Sequence, residues 1–97
     1  MKTQIDIQPF TFAQGVESTE DMALYLSIFL EENDFEGLIT GLRHIIKVKG
    51  ISQTARLSGL SRQHLYRIID GNSQPKLETI AKLFHALGLS LSVKPAA

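Results

Sequence analysis

The chain has 97 residues, a length typical of one domain, and its 43% hydrophobic residues are enough to fill a single core. It contains no cysteine, which excludes disulfides and thiolate metal sites and favours a reducing cytoplasm. The N-terminus lacks the apolar stretch of a signal peptide, and no apolar run approaches the ~20 residues that cross a bilayer. We therefore expect a cytoplasmic protein that makes no use of a membrane.

The charges of the chain are divided between its two ends, although they sum to zero. Residues 1–36 hold eight acidic side chains and one lysine, a net charge of −7. Residues 37–97 hold nine basic and two acidic side chains, a net charge of +7. This division is typical of a protein with two electrostatically different partners. The simpler alternative is that the charges only keep helix faces hydrated.

The first half of the chain predicts an extended segment and two helices. Ile5 and Ile7 alternate with polar residues, which indicates a short strand or an extended arm. Ser18 is followed by acidic residues, a typical helix start, and the helix should run to about Glu31. Its expected apolar face consists of Ala23, Leu26, Phe29 and Leu30. A second helix is predicted over residues 35–48, with one apolar stripe made by Leu38, Ile39, Leu42, Ile45 and Ile46.

The second half predicts three further helices and a strand. Ser52 is the expected N-cap of a short helix over residues 53–57, and Ser61 is the expected N-cap of a helix over residues 62–70. A last helix is expected over residues 77–87. Leu89, Leu91 and Val93 then alternate with polar residues, which predicts a C-terminal strand.

Residues 52–70 have the pattern of two short helices joined by a tight turn. Ala55 is small enough for a steep helix crossing, and Gly59 tolerates the positive φ that the turn needs. Leu65, Ile68 and Ile69 would form the buried face of the second helix. The side chains left facing outward or flanking that face are Arg62, Gln63, His64, Tyr66 and Arg67. Arginine can bind guanine and glutamine can bind adenine in a major groove. The predicted DNA-binding residues are Gln53, Thr54, Ser61, Arg62, Gln63, His64, Arg67 and Lys76. The alternative is a helical bundle without a nucleic-acid role.

Catalysis and metal binding find little support in the sequence. His44, His64 and His85 lie in three different predicted helices, without the spacing of a metal site. Ser61 and His64 are close in sequence, but helix capping explains the serine without chemistry. The chain also lacks a glycine-rich phosphate loop. We expect no enzyme, no metal and no cofactor.

The segment Ile51–Val93, ISQTARLSGLSRQHLYRIIDGNSQPKLETIAKLFHALGLSLSV, resembles the helix-turn-helix of the phage-repressor (Cro, Xre) superfamily. More narrowly, the chain resembles the HigA-like addiction module antidotes, a likeness that includes the predicted helix from Thr19 to Leu26. The superfamily implies a mainly α, lambda-repressor-like bundle of about five helices, here with a short C-terminal β-strand. The narrower family implies an antitoxin that neutralises a RelE/HigB-like mRNA-cleaving toxin and represses its own operon.

The acidic N-terminal third is the expected surface for such a toxin, because a ribonuclease that holds RNA is expected to be basic. The resemblance therefore suggests an acidic arm and helix over residues 1–36 that faces the toxin, and a DNA-binding core with the C-terminal strand over residues 37–97, within one compact domain. An acidic surface beside Met22, Tyr25 and Phe29 could cover the toxin. The candidate toxin-binding residues are Glu20, Asp21, Tyr25, Glu31 and Glu32.

Dimerisation is expected because one helix-turn-helix reads only part of a turn of double-stranded operator DNA, so two half-sites are normally bound by two subunits. The predicted C-terminal strand is too short to stand alone. It could pair with the Ile5–Ile7 segment or with its copy in a second subunit, and the second pairing is favoured. Two further functional alternatives remain open, a stand-alone phage-type repressor and a protein-interaction module that does not bind DNA.

Overall fold

The computed structural model describes residues 18–72 and 74–96, and these form five helices. They are α1 (Thr19–Glu31), α2 (Phe35–Lys49), α3 (Ile51–Ser58), α4 (Arg62–Ile69) and α5 (Leu77–Ala86). The predicted mainly helical fold is therefore confirmed. The chain divides after Val48 into two compact units, here called the N-terminal and the C-terminal unit. The division of residues 1–36 from residues 37–97 is one of charge and stays a prediction.

The predicted C-terminal strand is not seen among the described residues, where Leu89, Leu91 and Val93 belong to a segment without regular structure. A strand is stabilised by ladder hydrogen bonds to a neighbour, and alternation of apolar residues alone supplies no neighbour. The candidate partner within the chain, Ile5–Ile7, lies outside the described residues.

In the N-terminal unit, local interactions fix both ends of α1 and the start of α2. The Ser18 hydroxyl accepts a hydrogen bond from the Asp21 N–H at 3.0 Å, which confirms the predicted start of α1. Asn33 adopts a left-handed conformation with φ +57° and turns the chain. The Asp34 carboxylate then accepts from the Gly37 N–H at 2.9 Å and caps the start of α2.

Two glycines of α2 lie against two aromatic rings of α1. A Cβ atom placed on Gly41 would lie 2.9 Å from the Tyr25 ring, and one on Gly37 would lie 2.5 Å from the Phe29 ring. The rings themselves meet edge to face with centroids 5.2 Å apart. The close approach of the two helices at Gly41 therefore continues for one helical turn to Gly37.

The buried residues of the N-terminal unit correct the predicted face of α1. All five members of the predicted α2 stripe are buried. In α1, however, the buried residues are Met22 and Leu26, whereas Ala23 is exposed. Because α1 has apolar residues nearly all round, periodicity could not select one face.

In the C-terminal unit, α3 packs against both α4 and α5. Helix α3 begins at Ile51, with Gly50 as its N-cap, so the prediction of Ser52 as N-cap was wrong. Gly50 has φ +98°, which lets α3 begin immediately after α2 and leaves Ser52 inside the first turn. The buried residues of this unit are Thr54, Leu65, Ile68, Leu83, Phe84 and Leu87.

Candidate nucleic-acid interface

The turn between α3 and α4 has the geometry that the sequence predicts. Gly59 is left-handed, with φ +79° and ψ 4°, and its N–H donates to the Ala55 carbonyl at 3.0 Å. The Ser58 hydroxyl accepts from the Leu60 N–H at 3.1 Å. These bonds use backbone groups that the end of α3 would otherwise leave unpaired, so the turn is both tight and satisfied.

Ser61 fixes the start of α4. Its hydroxyl accepts from the His64 N–H at 3.0 Å, and its carbonyl accepts from the Leu65 N–H at 3.1 Å. The predicted N-cap is therefore confirmed. The serine is exposed, so its hydroxyl also faces solvent at the positive end of the helix.

Helix α4 separates a buried face from a polar one. Leu65 and Ile68 are completely buried in the C-terminal unit, whereas Ile69, predicted to share their face, is only half-buried because it lies at the last position of the helix. Arg62, Gln63 and Arg67 are exposed, whereas His64 is half-buried at the border. The polar face thus offers two guanidinium groups and one carboxamide, the side chains with the best geometry for base edges.

Tyr66 belongs to the same exposed face, although it is absent from the residues predicted to bind DNA. Its side chain is 52% exposed. It lies four residues after Arg62 and three after Gln63, so all three project from neighbouring positions of the helix. The sequence predicts this outward or flanking position from the helical spacing, and the exposure of Tyr66 confirms it.

The other predicted DNA-binding residues differ in accessibility. Gln53 is exposed in the first turn of α3, and Lys76 is exposed at the N-cap of α5. Thr54 is only 2% exposed, and its hydroxyl donates to the Gly50 carbonyl at 2.8 Å. The threonine side chain therefore stabilises the start of α3 and is turned away from the surface. It is not accessible to a DNA groove, which corrects its inclusion among the predicted DNA-binding residues.

The predicted acidic surface on α1 is present as an exposed set of carboxylates. Glu20, Asp21, Glu31 and Glu32 are all exposed. Tyr25 is half-buried, and burial raises the pKa of its phenol above the usual value.

Met22 and the neighbouring apolar residues of α1 depart from the prediction. Met22 is 2% exposed and so is unavailable to a partner. The large apolar side chains that do face solvent on this helix are Leu24 and Ile28, which the sequence interpretation did not select.

Two negative observations apply to residues 18–72 and 74–96 alone. No group of three or more His, Asp or Glu side chains in these ranges could hold a metal ion. None of the helices described there is long and apolar enough to cross a bilayer.

Comparison with known proteins identifies the family. Residues 6–95 match the model of a family described as probable addiction module antidote proteins. The chain belongs to this family. The antidote is also 33% identical, over 88 residues and 91% of each chain, to an uncharacterized protein of Haemophilus influenzae. No solved structure gives a significant match.

Membership gives the antidote a toxin partner in general terms, since an addiction module pairs a toxin with its antidote. Each unit of this antidote therefore has one exposed helix face that is a candidate binding surface. The α4 face is rich in basic and amide side chains, and the α1 face is rich in carboxylates.

Proposed function

We propose that this antidote binds operator DNA through α3 and α4, represses its own operon and neutralises an mRNA-cleaving toxin of the RelE/HigB type. The observation that carries the proposal is the exposed face of α4, where Arg62, Gln63 and Arg67 lie opposite the buried Leu65 and Ile68. The sequence likeness to HigA-like antidotes and to phage-repressor helix-turn-helix proteins points to the same role. The antidote has no catalytic activity of its own in this proposal.

The chemistry of α4 suits the edges of bases in a major groove. An arginine can donate two hydrogen bonds to guanine O6 and N7, and Gln63 can pair with adenine N6 and N7. The Tyr66 ring offers an apolar contact for a thymine methyl group. Gln53 and Lys76 are exposed at the starts of their helices, and in this proposal they bind phosphates. The excess of basic residues after residue 36 supplies the electrostatic attraction that holds the protein near DNA.

A homodimer follows from the same proposal. One recognition helix covers too little DNA for tight and specific binding, and two helices about 34 Å apart would reach successive turns on one side of the duplex. The C-terminal segment exposes the apolar side chains of Leu91 and Val93, which a second subunit can cover.

The DNA half of the proposal is tested with the protein's own promoter fragment in a fluorescence anisotropy titration. An Arg62→Ala/Gln63→Ala/Arg67→Ala variant should bind much more weakly, since each base contact is worth about 1–3 kcal/mol. A Lys47→Ala/Lys82→Ala variant is the control, because it also removes two positive charges, from exposed lysines outside α3 and α4, and should lose only the general attraction to DNA. Unchanged binding by the triple variant would contradict the proposed reading surface.

Lys76→Ala separates phosphate binding from base reading. Its loss should weaken all DNA sequences alike and reduce the slope of log K against log salt by about 1. A loss confined to one operator position would instead make Lys76 a base-reading residue.

The toxin half is tested with the purified product of the reading frame adjacent to this gene. The antidote should form a complex with that protein and inhibit its cleavage of mRNA. A neighbour that neither binds the antidote nor cleaves RNA would favour the stand-alone repressor. Toxin binding without any operator binding would favour the interaction module.

A further inference from the structure

Helix α1 exposes a pair of large apolar side chains on the side opposite its buried face. Leu24 is 68% exposed and Ile28 is 56% exposed. They are four residues apart and therefore adjacent on one side of the helix. Leu24 lies two residues from both Met22 and Leu26, a rotation of about 200° that places it opposite these buried side chains.

Carboxylates frame this pair on both sides. With a rotation of about 100° per residue, Glu20 and Glu31 fall along one side of Leu24 and Ile28, and Asp21 and Glu32 along the other. All four are exposed, and α1 contains no basic residue. The result is an apolar centre with an acidic rim, here called the α1 patch, consisting of Leu24, Ile28 and the four carboxylates.

We propose that the α1 patch anchors the antidote to the basic, RNA-binding surface of its toxin, with Leu24 and Ile28 in an apolar recess of that surface. This proposal rests on the toxin-neutralising part of the proposed function. Interfaces concentrate their binding energy in a few central side chains surrounded by a polar rim, and the patch has that arrangement. A protein that grips the phosphates of RNA carries the opposite charge to this rim.

The charge of the rim argues against other occupants. In a two-fold pairing of two copies through this face, each rim of carboxylates would meet an identical rim, and like charges at an interface are costly. DNA would be repelled by the same carboxylates. A basic protein surface with an apolar recess is the occupant that complements both the apolar centre and the acidic rim.

The support beneath the patch is closely packed, which favours binding. Tyr25 and Phe29 pack against Gly41 and Gly37 of α2 and hold α1 in place within the N-terminal unit. A surface that is already ordered loses less conformational entropy on association. Tyr25 is thus a support for the docking helix, while Leu24 beside it makes the contact.

The test measures binding of the full antidote to the purified product of the adjacent reading frame by calorimetry. Leu24→Ser/Ile28→Ser should weaken binding by about 30-fold or more, the effect typical of central interface residues. A Val48→Ser/Leu77→Ser variant is the control, since Val48 and Leu77 are also exposed, by 48% and 71%, but lie on other helices. The control should bind as tightly as the wild type, and both variants should retain wild-type affinity for the promoter fragment.

The rim is tested separately through association rates. Glu20→Gln/Glu32→Gln should lower the association rate by roughly tenfold at low salt and flatten its dependence on salt, because steering by charge acts on encounter. Glu36→Gln/Glu78→Gln removes two exposed carboxylates outside the patch and should leave the rate close to that of the wild type.

The possible outcomes separate this inference from the proposed function. If the wild type binds the toxin and the Leu24→Ser/Ile28→Ser variant binds equally well, the patch is not the anchor, while toxin neutralisation stands. If that variant instead loses self-association in sedimentation and keeps the toxin, the patch is a contact between copies and the inference is overturned. If the wild type does not bind the toxin at all, the toxin half of the proposed function fails together with the inference.

Discussion

Replacing Gly59 by alanine isolates the energetic cost of the left-handed turn between α3 and α4. Gly59 has φ +79°, and a Cβ added there would meet nothing within 4 Å. Steric clash with neighbours is therefore excluded as a cause, and the cost is that of the backbone alone. A left-handed conformation costs an L-residue about 1–2 kcal/mol. Alanine also restricts the unfolded chain, which returns about 0.4–1 kcal/mol of stability. We expect Gly59→Ala to lower the free energy of unfolding by about 1 kcal/mol.

Urea denaturation followed by circular dichroism measures this change, and Gly59→Asn is the matched comparison. Asparagine tolerates the left-handed region better than alanine does, so Gly59→Asn should be closer to the wild type in stability. The slope of the free energy against urea should stay the same in both variants, since the same surface is exposed on unfolding. An alanine variant as stable as the wild type, or less destabilised than the asparagine variant, would refute the argument from backbone strain.

Three further predictions concern the N-cap of α4, the packing of α2 against α1 and the titration of Tyr25. Ser61→Ala removes the side-chain cap of α4 and should cost about 0.5–2 kcal/mol in urea denaturation, with Ser61→Asp close to the wild type. Gly37→Ala places a Cβ 2.5 Å from both the Asp34 carboxylate and the Phe29 ring. Thermal unfolding should therefore show a loss of stability of about 1–2 kcal/mol, although alanine has the better helix propensity. An increase in stability would contradict the close approach. Burial raises the pKa of Tyr25, so the folded state retains its proton where the unfolded chain releases it. The free energy of unfolding should therefore fall as the pH rises above about 10, and that of the Tyr25→Phe variant should fall less steeply. Equal slopes of free energy against pH in the two proteins would contradict this.

The features of the C-terminal unit that could be predicted from sequence are those decided by local chemistry. Gly59 allows the positive φ of the turn, and Ser61 caps the start of α4 with its hydroxyl. Both residues make their hydrogen bonds within four residues along the chain. Leu65 and Ile68 are the apolar residues at helical spacing in α4, and their burial follows from that pattern. The exposed side chains of the helix follow by elimination.

What the sequence could not determine depends on neighbours that are distant in the chain. In α1, Leu24, Ile28, Met22 and Leu26 are all large and apolar, and the pair that is buried depends on how the helix packs against other parts of its unit, α2 among them. Thr54 looks like a surface residue by composition, but it is buried because α3 packs against two helices and the Gly50 carbonyl can accept its hydroxyl.

The two tyrosines of the chain give each unit its own optical label. The antidote has no tryptophan, and Tyr25 and Tyr66 belong to the N-terminal and C-terminal unit respectively. Tyr66→Phe leaves an emitter beside the α1 patch, and Tyr25→Phe leaves one on the exposed face of α4. Under the proposed function, promoter DNA should change the emission of the Tyr66-only protein and leave that of the Tyr25-only protein nearly constant. The fluorescence of these two single-tyrosine variants, without any added dye, can therefore report which of the two faces a given partner has occupied.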